Sequence, residues 1–165
     1  MPPFLGGLVL LHSERKESMP IKVPDGLPAI DILREENITL ITESAAFRQD
    51  IRPLQVAVVN IMPLKSITET QLLRLLCHSP LQVEVTFIYT SSHVSRNTHP
   101  DHLTKFYKCF EEVRQHRFDC IIITGAPVEI LEFAEVKYWD ELRTIMDWAS
   151  SHVYSTFHLC WGAQA

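Results

Sequence analysis

The sequence lacks the features that would place it in a membrane, on nucleic acid or outside the cell. No run in its 165 residues approaches the ~18 consecutive apolar residues of a membrane span. Basic residues do not outnumber acidic ones, and the formal net charge of -5 argues against nucleic acid as the main partner, because phosphate binding needs a basic surface. We therefore expect a soluble globular protein that partners neither a membrane nor nucleic acid.

Cysteine is also scarce, and its spacing is not that of a metal site. The four cysteines form no CxxC pair and no other metal-ligand spacing. The opening "MPPFLGGLVLL" has neither the basic start nor the small-residue cleavage site of an export signal. We therefore predict a cytoplasmic protein with free thiols and no metal.

Composition and patterning predict a single α/β unit preceded by an arm. Residues 1–18 read as an extension or a misassigned start, because Met19 opens a more natural beginning. Residues 19–54, rich in proline, read as an N-terminal arm with a helix in "AIDILREEN". Residues 55–165 alternate apolar runs with helical patterns, which predicts a parallel sheet with helices on both faces.

Within residues 55–165 the pattern predicts four strands and three helices. The strands are expected in "QVAVVNI", "LQVEVTFIYT", "DCIIITGAP" and "VYSTFHLC". The helices are expected over 65–80, 99–118 and 138–152. Ser66 and Glu69 have the spacing of a capping box at the start of the first of these helices.

Cys160 is the main candidate for chemistry. A buried strand leads to it and Gly162 follows, the arrangement of a nucleophile elbow. A helix beginning at Trp161 would favour the reactive thiolate, and the Trp161 N–H would point at the oxyanion of a tetrahedral intermediate. The alternative is an inert cysteine at a strand end.

The stretch "ITGAP" follows another predicted strand and offers the second half of a site. Backbone N–H groups of Gly125 and Ala126 are candidates to complete an oxyanion hole that faces Cys160. Glu129, just beyond, is a candidate to project into the same crevice. A tight turn and a surface carboxylate are the simpler interpretations of these residues.

The remaining cysteines and histidines favour structural roles. Cys109 and Cys120 are expected to pack in the core, and His158 to pack beneath the turn. Three histidines fall in a polar stretch that reads as a solvated loop: His93, His99 and His102.

Together these stretches closely resemble the homoserine O-acyltransferases of methionine biosynthesis, which are related to the class I glutamine amidotransferases. The resemblance runs from Met19 to the last residue. It is carried by "MPIKVPDGLPAIDILREENI", "QDIRPLQVAVVNIMPLK", "TETQLLRLL", "SPLQVEVTFI", "FDCIIITGAPVE", "YWDELRTIMDW" and "CWGAQA".

The resemblance implies a flavodoxin-like fold and an activity. The family transfers an acyl group from acyl-CoA to the side-chain hydroxyl of L-homoserine, with no other cofactor, and full-length members suggest a homodimer. The cysteine of its "CW" motif carries the acyl group as a thioester, a role that falls on Cys160. Glutamate at the position of Glu129 resembles the acetyltransferases, whereas glycine there resembles the succinyltransferases.

One part of the family pattern is missing. The family's general base is a histidine of a His-x-Glu sequence far beyond the nucleophile, and none follows Cys160 here. We therefore expect the chain to be part of a longer protein and inactive by itself. Other readings stay open: a succinyl donor, L-serine as acceptor, a truncated non-enzymatic product, or an amidotransferase-like hydrolase. Those hydrolases typically have glycine where this chain has His158.

Overall fold

A computed structural model describes residues 21–46, 52–79, 81–92 and 98–165 of the chain. Residues 1–18, Met19 and His93, on which predictions were made, lie outside these ranges. In the described part, seven strands form one sheet in which every pair is parallel. The strands are β1 (Ile21–Val23), β2 (Leu40–Thr42), β3 (Leu54–Val59), β4 (Val83–Tyr89), β5 (Tyr107–Cys109), β6 (Phe118–Ile123) and β7 (Val153–His158).

Helices cover both faces of the sheet, which confirms the predicted parallel α/β architecture. They are α1 (Ala29–Glu35), α2 (Glu43–Ala46), α3 (Lys65–Leu76), α4 (Pro100–Phe106), α5 (Phe110–Val113) and α6 (Trp139–His152). On one face, Leu33 of α1 and Leu73 of α3 join a core cluster with Val58. On the other face, Leu142 and Ile145 of α6 join a second cluster around the buried isoleucines of β6.

The four strands predicted from the sequence are present as β3, β4, β6 and β7, and the structure adds three more. Two of them come from the N-terminal arm, whose predicted helix is α1. Strand β1 pairs with β4, and β2 pairs with β1, so the arm extends the sheet at one edge. Because the arm is rich in proline and each of these strands has only three residues, the sequence shows no alternation that would predict them.

The single helix predicted over 99–118 is wrong. It is broken by β5, which pairs with β4 and separates α4 from α5. Tyr107 in β5 is 5% exposed, and its ring centroid lies 5.3 Å from that of Phe87 in β4. The Cys109 N–H donates to Glu112 Oε2 at 2.7 Å, which starts α5 as a separate helix. Tertiary burial of Tyr107 overrides the helical spacing of Leu103, Phe106, Phe110 and Val113.

The order of the strands is β2-β1-β4-β3-β6-β7, with β5 beside β4. The chain leaves β3 towards β4 on one side and returns to β6 on the other. The order therefore reverses between β3 and β6. In open parallel sheets, ligands bind at the carboxyl ends of the strands beside such a reversal.

Candidate active site

The turn after β7 holds Cys160 in a strained backbone conformation. Cys160 begins a short 3-10 helix, Cys160–Ala163, and has a φ of 50°. This left-handed region is costly for a residue with a side chain, and such strain concentrates at functional sites. A cysteine presented at a sharp, strained turn directly after a strand has the backbone geometry of a nucleophile elbow.

Two glycines let the backbone close around this turn. A Cβ placed on Gly125 would lie 3.0 Å from Cys160 Cβ and 3.6 Å from Cys160 Sγ, so the peptide after β6 lies directly against the thiol. A Cβ on Gly162 would lie 2.8 Å from the carbonyl oxygen of Thr124. The approach at Gly162 needs glycine, the approach at Gly125 is tight for any larger residue, and together they bring the ends of β6 and β7 into contact.

Exposure separates Cys160 from the other cysteines. Cys160 is exposed, Cys77 is buried, and Cys109 and Cys120 are half-buried. Burial raises the pKa of the Cys77 and Cys120 thiols, which disfavours the reactive thiolate there. Cys120 packs against the core as predicted. Among the four, Cys160 is therefore the thiol placed to meet a ligand.

Thr124 joins the ends of β3 and β6, a role that sequence reasoning missed. The Ile61 N–H donates to Thr124 Oγ1 at 2.9 Å, and that hydroxyl donates to the Gly125 carbonyl oxygen at 3.2 Å. Thr124 is 1% exposed. The two bonds fix the peptide of Gly125. The only signal of this role in the sequence is that Thr124 is a hydroxyl residue at a strand end.

The side chain of His158 is hydrogen-bonded to the turn that holds Cys160. Its Nδ1 donates to the carbonyl oxygen of Gly162 at 2.9 Å, since a carbonyl only accepts. The side chain is half-buried. The structural role predicted for His158 is present, although the ring bonds to the turn rather than packing only against the sheet.

The other predicted site residues lie around this turn at different depths. Trp161 is 2% exposed, with its ring centroid 6.2 Å from that of Tyr138 in an edge-on contact. Ala126 is 6% exposed and belongs to the same core cluster. Glu129 is exposed on a turn three residues further on. The structure thus brings Cys160, Trp161 and Gly125 together, and places Glu129 exposed on the loop that follows Gly125.

A second polar cluster lies beyond the end of β3. Glu69 is fully buried, and its Oε1 accepts from Tyr107 Oη at 2.6 Å and from His102 Nε2 at 2.8 Å. Tyr107 Oη in turn accepts from Asn60 Nδ2 at 2.8 Å. The capping box predicted for Ser66 and Glu69 is therefore wrong, because Glu69 turns into the core and Leu64 occupies the N-cap of α3.

The prediction that His102 is a solvated loop residue is also wrong. It lies in α4 with a side chain that is only 15% exposed, held by the buried carboxylate of Glu69. His99 does remain exposed, as the N-cap of α4. The contact between Glu69 and His102 spans 33 residues, so no local pattern could reveal it.

Lys65 lies next to this cluster with its ammonium withdrawn from water. The residue is 6% exposed, and its Nζ donates to the carbonyl oxygens of Asn60 and Met62. Desolvation lowers the pKa of Lys65 to about 8, and the charge of Glu69 acts in the opposite direction. Burial and the charge of Glu69 raise the pKa of Tyr107. The cluster thus keeps a carboxylate, a phenol and an amine in close proximity.

Two negative findings apply to the described ranges only. No three His, Cys, Asp or Glu side chains in them come together as a set able to hold a metal ion. No helix there is long and apolar enough to cross a membrane.

A family model described as homoserine O-succinyltransferase matches residues 20–165. The chain belongs to this family. Membership agrees with the resemblance seen in the sequence. The match begins at residue 20 and leaves out residues 1–19.

Individual relatives carry a related name. The homoserine O-acetyltransferase of Acetivibrio thermocellus is 58% identical over 147 residues, which are 89% of this chain and 48% of the relative. That of Brevibacillus brevis is 60% identical over 147 residues, with the same coverage of 89% and 48%. That of Clostridium acetobutylicum is 57% identical over 147 residues, 89% of this chain and 49% of the relative. The chain spans about half the length of the curated relatives it matches.

Proposed function

We propose that the protein transfers an acetyl group from acetyl-CoA to the hydroxyl of L-homoserine, through a thioester on Cys160, as a cytoplasmic step of methionine biosynthesis. The observation that carries the proposal is the exposed thiol of Cys160 at a left-handed turn, with the Gly125 peptide against it. Family membership supports acyl transfer to homoserine, and the names of the relatives support acetyl as the acyl group.

The chemistry divides into two half-reactions. The Cys160 thiolate attacks the thioester carbonyl of acetyl-CoA, and the carbon–sulfur bond to CoA breaks as the CoA thiolate leaves and takes up a proton. The homoserine hydroxyl then loses its proton to a general base and attacks the acetyl-cysteine, which restores the Cys160 thiolate. Exchange between two thioesters is nearly isoenergetic, so the enzyme must mainly stabilise the tetrahedral intermediates.

Backbone N–H groups around the turn suit that task. We assign the oxyanion hole to the N–H of Trp161 together with those of Gly125 and Ala126. Gly125 supports this assignment because its peptide lies against Cys160 and is held in place by Thr124. Fixed donors of this kind stabilise the developing oxyanion without reorganisation during the reaction.

The test of Cys160 is whether the acetyl-enzyme forms. The full-length protein, incubated with acetyl-CoA and no homoserine, should gain the mass of one acetyl group on the peptide containing Cys160. Cys160→Ser should lose this adduct and transferase activity, whereas Cys120→Ser, which removes a half-buried thiol of the core, should keep both. Normal turnover by Cys160→Ser would rule out the thioester route.

Acyl choice is assigned to Glu129. A carboxylate in the acyl pocket repels the free carboxylate of a succinyl group and fills the space that group needs. Glu129→Gly should therefore raise the kcat/KM for succinyl-CoA relative to acetyl-CoA by at least tenfold. The description of the matching family favours succinyl-CoA as the alternative donor, and preference of the unaltered protein for succinyl-CoA would establish it.

A further inference from the structure

A cavity of about 330 Å³ opens at the opposite end of β7 from Cys160. It lies where β6 and β7 begin, and its walls include Phe118 and Val153, the first residues of these two strands. The six residues of β7 span about 20 Å, so the cavity is separate from the turn that holds Cys160. Its walls also include three basic side chains, those of Arg52, Arg117 and His152.

Among the described residues that line this cavity, Asp119 is the one carboxylate. Its Oδ1 accepts from Arg52 Nη2 at 3.1 Å, and its Oδ2 accepts from the main-chain N–H of Gln55 at 2.8 Å. Asp119 therefore balances the charge of Arg52. It also holds that guanidinium beside the cavity, where the remaining N–H groups can donate to a ligand.

Arg117 supplies a positive charge that nothing in the described ranges balances. The residue directly precedes β6 and is exposed. Within those ranges its guanidinium makes no hydrogen bond, ion pair or contact with an aromatic ring. A guanidinium presents a planar fork of N–H donors that matches two oxygens of a phosphate or a carboxylate. Arg117 is thus available to bind an anion in the cavity.

His152 is held so that one ring nitrogen is left for a ligand. It is the last residue of α6, and its ring stacks on that of Trp148 with the centroids 5.2 Å apart. Its Nδ1 donates to the carbonyl oxygen of Trp148 at 3.2 Å, since a carbonyl only accepts. Nε2 is therefore the nitrogen of His152 that remains to meet a ligand.

The end of α6 opposes an anion only weakly. The carbonyl groups at a helix C-terminus carry about half an elementary charge in all. The carbonyl of Trp148 accepts from both Ser151 Oγ and His152 Nδ1, which offsets part of that charge. The full charge of Arg117 exceeds what is left. The balance in the cavity is therefore positive, although the whole chain has a formal net charge of -5.

We propose that this cavity binds a small phosphate monoester that carries a flat ring, a class that includes the mononucleotides. Arg117 binds two phosphate oxygens in a bidentate contact, and Arg52 and His152 Nε2 donate to the third. Three donor groups match the three terminal oxygens of a phosphate, whereas a carboxylate has only two. The exposed ring of Tyr154 in the cavity wall offers a flat face to the ring of the ligand. Binding here does not require the chemistry proposed for Cys160.

The first test is binding of phenyl phosphate to the protein in the full length that its gene encodes. Isothermal titration calorimetry at constant ionic strength, in a buffer without phosphate, should show saturable binding at one site per chain. Arg117→Gln should raise the dissociation constant at least tenfold, because it removes the bidentate contact. Arg143→Gln is the matched control, since Arg143 is an exposed residue of α6 outside the cavity. No saturable binding, or the same loss in both variants, would overturn the proposal.

A second test separates the phosphate from the ring. Phenyl phosphate should bind at least threefold more tightly than inorganic phosphate, and Tyr154→Ala should abolish that difference without changing the dissociation constant of inorganic phosphate. Benzoate, which keeps the ring and replaces the phosphate by a carboxylate, should bind at least tenfold more weakly than phenyl phosphate. Equal binding of benzoate and phenyl phosphate, or an unchanged preference for phenyl phosphate in Tyr154→Ala, contradicts the proposed class of ligand.

Discussion

Lys65 places a positive charge where folding must remove it from water. Its ammonium is bonded to two main-chain carbonyl groups, and its pKa is lowered to about 8 from an ordinary value of 10.5. Between these two pH values the unfolded chain holds a proton that the folded chain has released. The free energy of unfolding therefore rises with pH across this window.

The Lys65→Met variant isolates this effect. Below pH 8 the wild type bears the full cost of the buried charge, and the variant, which keeps an unbranched side chain, does not. The stability difference between them should shift in favour of the wild type by up to roughly 3 kcal/mol as the pH rises from 7.5 to 10.5. Urea unfolding of both proteins at several pH values measures it. A difference that does not vary with pH would mean that Lys65 is not desolvated as described.

At the scale of elements, Tyr107 decides how the stretch from α4 to α5 folds. Its hydroxyl donates to the buried Glu69 and accepts from Asn60, so a three-residue strand connects α3, α4 and the end of β3. Removing the hydroxyl leaves a buried carboxylate with one fewer donor. Bonds to charged groups contribute about 1.5–3 kcal/mol each.

We expect Tyr107→Phe to lower the free energy of unfolding by about 2 kcal/mol, at constant ring packing against Phe87. In this variant, amide hydrogen exchange should become faster in α4 and β5 by a larger factor than in β6. Tyr154→Phe serves as the control, because Tyr154 is 95% exposed and its loss of a hydroxyl should change neither quantity. Equal stability of Tyr107→Phe and the wild type would show that Glu69 does not need this donor.

The elements that the sequence predicted are those with a strong local signal. Strands β3 and β6 are continuous apolar runs that end near proline or glycine, and buried parallel strands have that composition. Strands β1, β2 and β5 have three residues each, too few for any periodicity to show. Their existence depends on backbone partners elsewhere in the chain, such as β4 for both β1 and β5.

The residues of the candidate site likewise divide into those with a local sequence signal and those placed by long-range contacts. Cys160 and Gly125 were predictable because a glycine or a cysteine placed directly after a strand is a local pattern. The expectation that the strand before Cys160 is buried was wrong, because four of the six residues of β7 are exposed. The bond from Ile61 to Thr124 and the bond from His102 to Glu69 join residues 63 and 33 positions apart. Side-chain contacts of this kind follow from the folded topology, and a single sequence does not encode them in any local spacing.

At the scale of the whole molecule, the chain does not assemble its sheet in the order in which it is made. Ile21 of β1 is opposite Val83 of β4, and their neighbours Lys22 and Glu84, 62 positions apart, form an ion pair at 2.6 Å. Domains generally fold as units during synthesis, from the N-terminus onwards. The first of the described strands to leave the ribosome can pair early only with β2, and it must wait for β4 before it joins the rest of the sheet. Until then the apolar side chains of β1 and α1 lack their partners in β4, and a chaperone that binds short aliphatic segments would find its target there.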